Sequence, residues 1–588
     1  MMNIHGKQNN LRTHVSVYLL TAFLGILIYA NHLQNPFQFD SLVFIKNNPD
    51  LAKPRELINL DFLQKEFLSR SLLRITLAWN ALLSERNPFG YHLFNLLFHV
   101  LNSIFVFVIS LKLFSHLTRN QPLQKQEIYL ASFLTTILFL CHPIQTESVI
   151  YIASRSEILL ATFYLTSFFL FQICFDKQKL STFWIRWLII FPIIMVLAIL
   201  GYSIKQSMVT LPAIIFLYYL FILPRNSWVL NFLRRYQIAL IVFFLAALLI
   251  LFSKLMSDER FLIGPSKAGE IIGRKAYMLS QPGVILFYYF KVLLFPFNLN
   301  IDPDIAKGTF SLGFFSASSG IILIFFLAFK NVRKRLTGFL AFWFFFTISP
   351  SSSIITLQDL AAEHRTYLPS LAFFWISSFG WIMVTKRIEN KNIAPYLRSL
   401  LAVFLILTWS LGTVERNLEW SSGLRLWEDT LKKSPGKTRP WMNVGHAHIL
   451  LGNSNEALRY YKKATEMDPY YFASQYNLGT LYQNKGDIDK AIFHFRFAYF
   501  IDPYVPEVNG KLGEIYLHTG EYESSNFFLK RAVERNPTYV EAFRNLGVLH
   551  YYHLKNKKQA LTYFRRSLTL DPKQAGYELV KRLLDENS

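Results

Sequence analysis

The sequence predicts an all-α protein in two parts, a polytopic membrane helical domain over 1–415 and a soluble α-solenoid over 416–588. Three observations predict it. The chain of 588 residues is 52% hydrophobic and 16% aromatic, with a mean hydropathy of +0.26. That is too apolar for a chain of this length unless it carries membrane-spanning runs of about 17–25 apolar residues. Such runs recur through the first two thirds of the chain. After Arg416 the hydrophobicity drops and a 34-residue period replaces it.

Apolar runs fall near 15–31, 92–113, 128–142, 157–175, 183–202, 207–223, 236–253, 283–297, 312–329, 338–350, 367–385 and 399–414. The first follows Lys7 and Arg12 with no small-residue cleavage site after it, so it reads as a retained span. The run at 283–297 is short and carries Lys291, as interfacial or re-entrant segments do. Charge decides its placement. If it does not span and the N-terminus is inside, the inner loops 1–14, 114–127, 176–187, 224–235, 330–337 and 386–398 together hold 18 Lys and Arg. The short outer connections hold little beyond Arg155, Lys205 and Arg365. This is a positive-inside pattern. It predicts eleven spans, a long outer loop over 254–311, and a C-terminal region outside. Residues 62–81 read as an amphipathic helix along the membrane surface.

In the C-terminal part Pro435, Pro469, Pro503, Pro537 and Pro572 are spaced by 34, 34, 34 and 35, and Gly445, Gly479, Gly513 and Gly547 by 34 each. Ala457, Ala491, Ser525 and Ala560 run in phase with them, as do Tyr461, Phe495, Leu529 and Phe564. A helix–turn–helix period of this length is the signature of tetratricopeptide repeats. The small residues let the two helices of a repeat approach closely, and the Pro, which cannot continue a helix, starts the connection to the next repeat. Four full repeats are expected over about 437–572, with a degenerate half repeat before them and a capping helix after. Such arrays bind proteins or peptides.

The net charge is +23. Its basic residues are scattered over many loops, which fits inner-loop charge rather than a nucleic-acid surface. The two cysteines, Cys141 and Cys174, sit inside apolar runs and offer neither a disulfide framework nor zinc-ligand spacing.

The predicted topology brings polar residues from five loops to one membrane face. Asp40 follows the first span. His142 and Glu147 end the third, and Arg155 opens the fourth. Lys205 lies between the fifth and sixth, and Glu363-His364-Arg365 leads into the tenth. Ionisable groups at membrane depth are costly, which makes them functional candidates. Singly, each has an ordinary reading: Asp40 as a turn residue, Lys205 as a snorkelling cation, Glu363 as a partner of Arg365. Together they suit transfer of a sugar from a lipid phosphate. Cations stabilise charge developing on the phosphate, and a carboxylate, Asp40 first among the candidates, takes the proton of a hydroxyl acceptor. In the second span His92, Asn95, His99 and Asn102 share one helical face. They read as interhelical hydrogen-bond formers rather than metal ligands, lacking the spacing of a helical zinc pair.

These residues resemble the membrane O-mannosyltransferase family that joins transmembrane helices to tetratricopeptide repeats, including its bacterial members, over about 15–572. The resemblance rests on several motifs. They are Asn35-Pro36-Phe37 through Asp40 with Asn48-Pro49, and Gly90-Tyr91-His92 with Asn95 and His99. Phe139 to Glu147 with Arg155, and Tyr288 with Pro296, follow. The most specific is Pro350-Ser351-Ser352 with Glu363-His364-Arg365-Thr366-Tyr367-Leu368-Pro369. The resemblance implies a class C glycosyltransferase fold in a bacterial inner membrane, with the repeats periplasmic. It implies transfer of mannose or another hexose from a polyprenyl phosphate to Ser or Thr of a protein, with Asp40 as base. His142, Glu147, Arg155, Lys205, Glu363, His364 and Arg365 would then contact the donor, and His92, Asn95 and His99 would support them. The chain departs from the family pattern at Ser41 and Gln206, where the family has acids, and at Ser71, where it has Pro. No cofactor and no metal ligand is assigned, although a divalent cation is compatible with the family. The alternatives are a non-catalytic membrane scaffold whose repeats dock partners, favoured by Ser41 and Gln206, and a polysaccharide ligase or polymerase. The latter is disfavoured because the loop at 254–311 holds only Arg260 and Arg274 as arginines.

Overall fold

The computed structural model describes residues 2–42, 45, 48, 51, 54–55, 70–117, 123–174, 180–222, 273–330, 335–353, 355–387, 394–572, 578 and 580–582. All regular elements among them are helical. They form two compact units, the first reaching Lys433 and the second running from Ser434.

In the first unit the helices are α1 (Met2–Tyr29), α2 (Ser71–Ser84), α3 (Pro88–Leu117), α4 (Lys125–Cys141), α5 (Thr146–Ile150), α6 (Arg155–Cys174), α7 (Leu180–Tyr202) and α8 (Leu211–Phe221). These are followed by α9 (Arg274–Gly283), a π turn (Val284–Tyr289), α10 (Phe290–Leu294), α11 (Leu312–Lys330), α12 (Arg335–Ile348), α13 (Ser370–Thr385), α14 (Ala394–Glu419) and α15 (Gly423–Lys433). Among the described residues three helical stretches are long and apolar enough to cross a membrane: Thr13–His32, Pro88–His116 and Ile152–Cys174. Lys125–Cys141 with Pro143–Ile150 makes a fourth if its 51° bend is counted as one span. Pro143 has no N–H to continue the helix, and His142 before it is held extended, as the residue preceding a proline tends to be. Five further apolar helices among the described residues, Leu312–Ala328 and Ser370–Thr385 among them, are shorter. The expected span at 236–253, part of the outer loop over 254–311, residues 62–69 of the expected surface helix and the basic tract at 331–334 lie outside the described residues. The run at 283–297 does not form one continuous α-helix. It passes through the π turn that follows Pro282 and ends at Leu294.

α3 sits centrally, packed against α1, α4 and α6, and α4 packs on α13. Lipid gives no hydrophobic drive between helices, so close packing and satisfied polar groups must hold them. Trp343 and Trp375 cross edge-to-face at 4.9 Å. Their indole N–H groups donate to Leu368 O at 3.0 Å and Ser110 Oγ at 2.7 Å.

The second unit stacks four helix pairs: α16 (Thr438–Leu450) with α17 (Ser454–Met467), α18 (Phe472–Asn484) with α19 (Ile488–Ile501), α20 (Pro506–Thr519) with α21 (Tyr522–Arg535), and α22 (Val540–Val548) with α23 (Lys557–Leu570). The periodic residues lie where each pair touches. A Cβ on Gly445, Gly479, Gly513 or Gly547 would sit 2.4–2.8 Å from the side chain of Tyr461, Phe495, Leu529 or Phe564 respectively. Glycine is therefore required for the approach. Between helices of a pair Gly452, Gly486 and Gly520 adopt φ of +80 to +83°, and Lys555 takes that place in the last repeat at φ 54°. The one extra residue that stretches the last Pro–Pro spacing to 35 is absorbed by a π turn at Leu549–His553. Of the expected capping helix, Glu578 and residues 580–582 are helical, and the rest lies outside the described residues.

Candidate active site

The loop after α1 is pinned from three sides. Asn35 donates to Asn417 O on α14 at 3.1 Å, while its own carbonyl accepts from His92 Nε2 at 3.0 Å. Ser41 Oγ accepts from Ala153 N at 3.2 Å. Phe39 has φ 52°, a conformation rare for a bulky residue, and its ring lies 5.6 Å from Tyr151 and 5.4 Å from Trp427. This turn sets Asp40, which is half-buried, within electrostatic reach of the Tyr151 side chain.

Tyr151 is also within reach of Glu147. Glu147 is buried on α5, and its carboxylate accepts from the His364 backbone N–H at 3.0 Å and from His364 Nδ1 at 2.7 Å. The imidazole is 24% exposed, so its far edge is available. The neighbouring Glu363, 1% exposed, accepts from the Tyr288 hydroxyl at 3.3 Å and from the Asn300 N–H. Its second oxygen faces Arg416 Nη2 at 3.6 Å. Burial pushes the Glu363 carboxyl up to about 7, against the pull of Arg416. Arg416 is ion-paired in turn with Glu419 and, at 3.4 Å, with Asp429. Lys433 joins Asp429 at 2.6 Å and donates to Leu299 O at 2.8 Å.

Lys205 pairs with Glu157 and remains 21% exposed. Burial lowers its ammonium below the usual range, and the Glu157 carboxylate opposes that. Arg365 lies within electrostatic reach of both Lys205 and Glu147, and its guanidinium donates to Asp359 O at 3.0 Å. Asp40, Glu147, Lys205, Glu363, His364 and Arg365 are therefore linked through their neighbours, drawn from four segments.

Arg155 and His142 face inward. Arg155 has no exposed surface. Nε donates to Asn95 Oδ1 at 2.9 Å, Nη1 to Thr76 O and Nη2 to Tyr91 O at 3.2 Å each, and the group stacks 4.4 Å over Phe94. It ties α2, α3 and α6 together. His142 Nε2 donates to Leu293 O at 3.1 Å, while Nδ1 accepts from Ile144 N at 3.2 Å, which fixes a neutral tautomer against Trp409. The polar stripe of α3 binds its neighbours. Asn95 donates to Val149 O at 3.1 Å. His99 Nε2 donates to Leu140 O at 3.2 Å, leaving Nδ1 to accept from the Tyr367 hydroxyl at 2.7 Å.

Sequence reading placed Glu157 at the outer face beside Arg155 without a role, and did not single out Tyr151, Asn300 or Arg416. Arg416 carried a usable signal, a lone cation at the end of the last apolar run. Asn300 acts through its backbone and carried none. Among the described residues no group of three or more His, Cys, Asp or Glu side chains could hold a metal ion, and the residue beside Asp40 is Ser41 rather than a second carboxylate. The described residues around Asp40 therefore do not make a divalent-cation site.

Tetratricopeptide repeat family models match residues 438–471 and 506–539, 460–493, and 528–575. The chain is 26% identical to protein O-mannosyl-transferase TMTC3 of Mus musculus over 495 residues, 77% of this chain and 51% of that protein. The Homo sapiens TMTC3 is 25% identical over 79% of this chain and 53% of its own length. TMTC4 of Mus musculus is 24% identical, covering 76% and 65%. The chain fits the TMTC-like family. It spans about half the length of the first of these relatives. Among solved structures, a crystal structure of MamA is 20% identical, covering 29% of this chain and 96% of that one, at a TM-score of 0.24.

Proposed function

We propose that the chain is an integral membrane glycosyltransferase that moves a hexose, mannose by the names of its relatives, from a polyprenyl phosphate to Ser or Thr hydroxyls of an extracytoplasmic protein. The observation that carries this reading is the chain of contacts that runs from Asp40 through Tyr151 and Glu147 to His364 and Arg365, and from Arg365 on to Lys205. In this reading eleven spans cross a bacterial inner membrane with the N-terminus inside, and the repeats are periplasmic and bind the acceptor or a partner protein.

Asp40 takes the proton of the acceptor hydroxyl as its oxygen attacks the anomeric carbon. The bond from that carbon to the phosphate oxygen breaks, and its electron pair leaves with the polyprenyl phosphate. Lys205, Arg365 and the exposed edge of His364 stabilise the charge that develops there. Glu147 holds His364 in position, and Glu363, braced by Arg416, fixes the turn between them. Arg155 and His142 act one layer out, with the stripe of His92, Asn95 and His99, by holding the helices that carry the site. One base and direct displacement give inversion at the anomeric carbon.

The test uses the full chain in lipid nanodiscs with synthetic polyprenyl-phosphate mannose and a Ser/Thr-rich peptide, read by mass spectrometry. Transfer by the unsubstituted protein, lost by about 10²–10⁴-fold in Asp40→Asn, supports the reading. Full transfer in Asp40→Asn overturns the base. No transfer, together with an unchanged glycoproteome when the gene is removed, leaves a scaffold.

A further inference from the structure

We infer that the outer face of the second helices of the repeats docks on an anionic lipid bilayer. On α19, Phe493, Phe497 and Phe500 share one face by their spacing of four and three. Phe493 is 61% exposed and Phe500 72%. Their rings form a chain, Phe493 to Phe497 at 6.5 Å and Phe497 to Phe500 at 6.1 Å, and the exposed Tyr470 joins it 5.8 Å from Phe497. In the next repeat Phe527 and Tyr504 are exposed on the same side of the array, each under a guanidinium: Arg531 lies 5.4 Å over Phe527, and Arg535 4.5 Å over Tyr504. Soluble surfaces seldom expose a contiguous aromatic patch of this kind without a partner.

The cations keep the period of the repeats. Lys462, Arg496, Lys530 and Arg565 occupy one register position, and Lys463, Phe497, Arg531 and Arg566 the next. The recess among the phenylalanines is lined by Arg496 and by a single acid, Asp489. A row of cations interleaved with aromatic rings is the chemistry of a bilayer interface. Rings seat at headgroup level, and each Lys or Arg contributes about 1 kcal/mol near anionic lipid. The same chain carries apolar helices long enough to cross a membrane, and the array is covalently joined to them.

The test labels Phe500→Cys in the full chain, where the native Cys141 and Cys174 are buried, with an environment-sensitive fluorophore. The protein is placed in nanodiscs of phosphatidylcholine alone or mixed with phosphatidylglycerol, with lipid-borne quenchers. Quenching several-fold stronger in the anionic discs, and fading as salt rises, is the expected result. The combined Lys462→Glu, Arg496→Glu, Lys530→Glu and Arg565→Glu change should remove it while the buried amides of α18 keep their hydrogen-exchange protection. The salt series on the otherwise unsubstituted chain reads the same surface should that variant fail to fold. Equal quenching in both discs, no quenching in either, or shielding that appears only on raising protein concentration or adding an acidic peptide would overturn the proposal.

Discussion

Arg416 ends α14 with its guanidinium between Glu363 on one side and Glu419 and Asp429 on the other. It is 4% exposed and Glu363 1%. Removing one partner of a buried pair leaves the other charge uncompensated, so Arg416→Ala should cost about 3–5 kcal/mol, and Arg416→Lys less. Thermal melting of the detergent-solubilised chain measures both. The same cluster sets a pH dependence. Burial raises the Glu363 carboxyl from its usual 4.5 to about 7, so the folded state holds a proton that the unfolded chain has lost. That contribution to stability is fully present below pH 4.5 and is lost as pH rises to about 7. Arg416, Glu147 and Lys433 face the carboxyl and act on it together. Glu363→Gln should flatten the fall in melting temperature across that window, and an unchanged slope would assign the titration elsewhere. The polar residues of the site were legible in the sequence because charge is rare in apolar helices. Their partners were not. Arg416 and Glu363 are 53 positions apart, and Tyr151 meets Asp40 only through a left-handed Phe39 that nothing local demands.

At the level of elements the repeats were the most readable part, because each anchor is a packing requirement that recurs. The Gly that faces Tyr461, Phe495, Leu529 or Phe564 leaves no room for a methyl group, so Gly479→Ala should destabilise the array by about 1–3 kcal/mol through forced displacement of Phe495. The exception in the last repeat points the other way. Lys555 sits at φ 54° where the other repeats place Gly at about +80°. A left-handed conformation strains any residue with a Cβ, so Lys555→Gly should stabilise by about 1 kcal/mol, less the entropy that glycine adds to the unfolded chain. Denaturant melts of the two variants, read from array-specific hydrogen exchange, should move in opposite directions. The broken helix from Arg274 to Leu294 was legible only as a short run carrying Lys291. Its π turn begins two residues after Pro282.

For the whole molecule the decisive quantity is parity. Each apolar run that spans or fails to span inverts everything after it, so one ambiguous segment outweighs many clear ones. Helix length alone does not fix the count, since among the described residues three stretches are long and apolar enough by themselves and five more are short. Short helices can still cross where the bilayer thins locally or the flanking residues snorkel. Charge supplies the missing constraint, because Lys and Arg in short loops stay on the cytoplasmic side. With the segment around Lys291 not spanning, the basic tract Lys330, Arg333, Lys334 and Arg335 faces inward, and Asp304 and the Glu363–Arg365 turn face outward. If it spans, the tract and the turn change places, and Glu363 and its cations no longer share a side with Asp40. An impermeant maleimide added to intact cells should therefore label Asp304→Cys and leave Arg333→Cys unlabelled until the membrane is opened, with the buried Cys141 and Cys174 as silent background. Labelling of Arg333→Cys from outside would give twelve spans and separate Asp40 and Lys205 from Arg365 and His364. Chemistry at one face requires the odd count, which makes this labelling pattern a test of the site as well as of the topology.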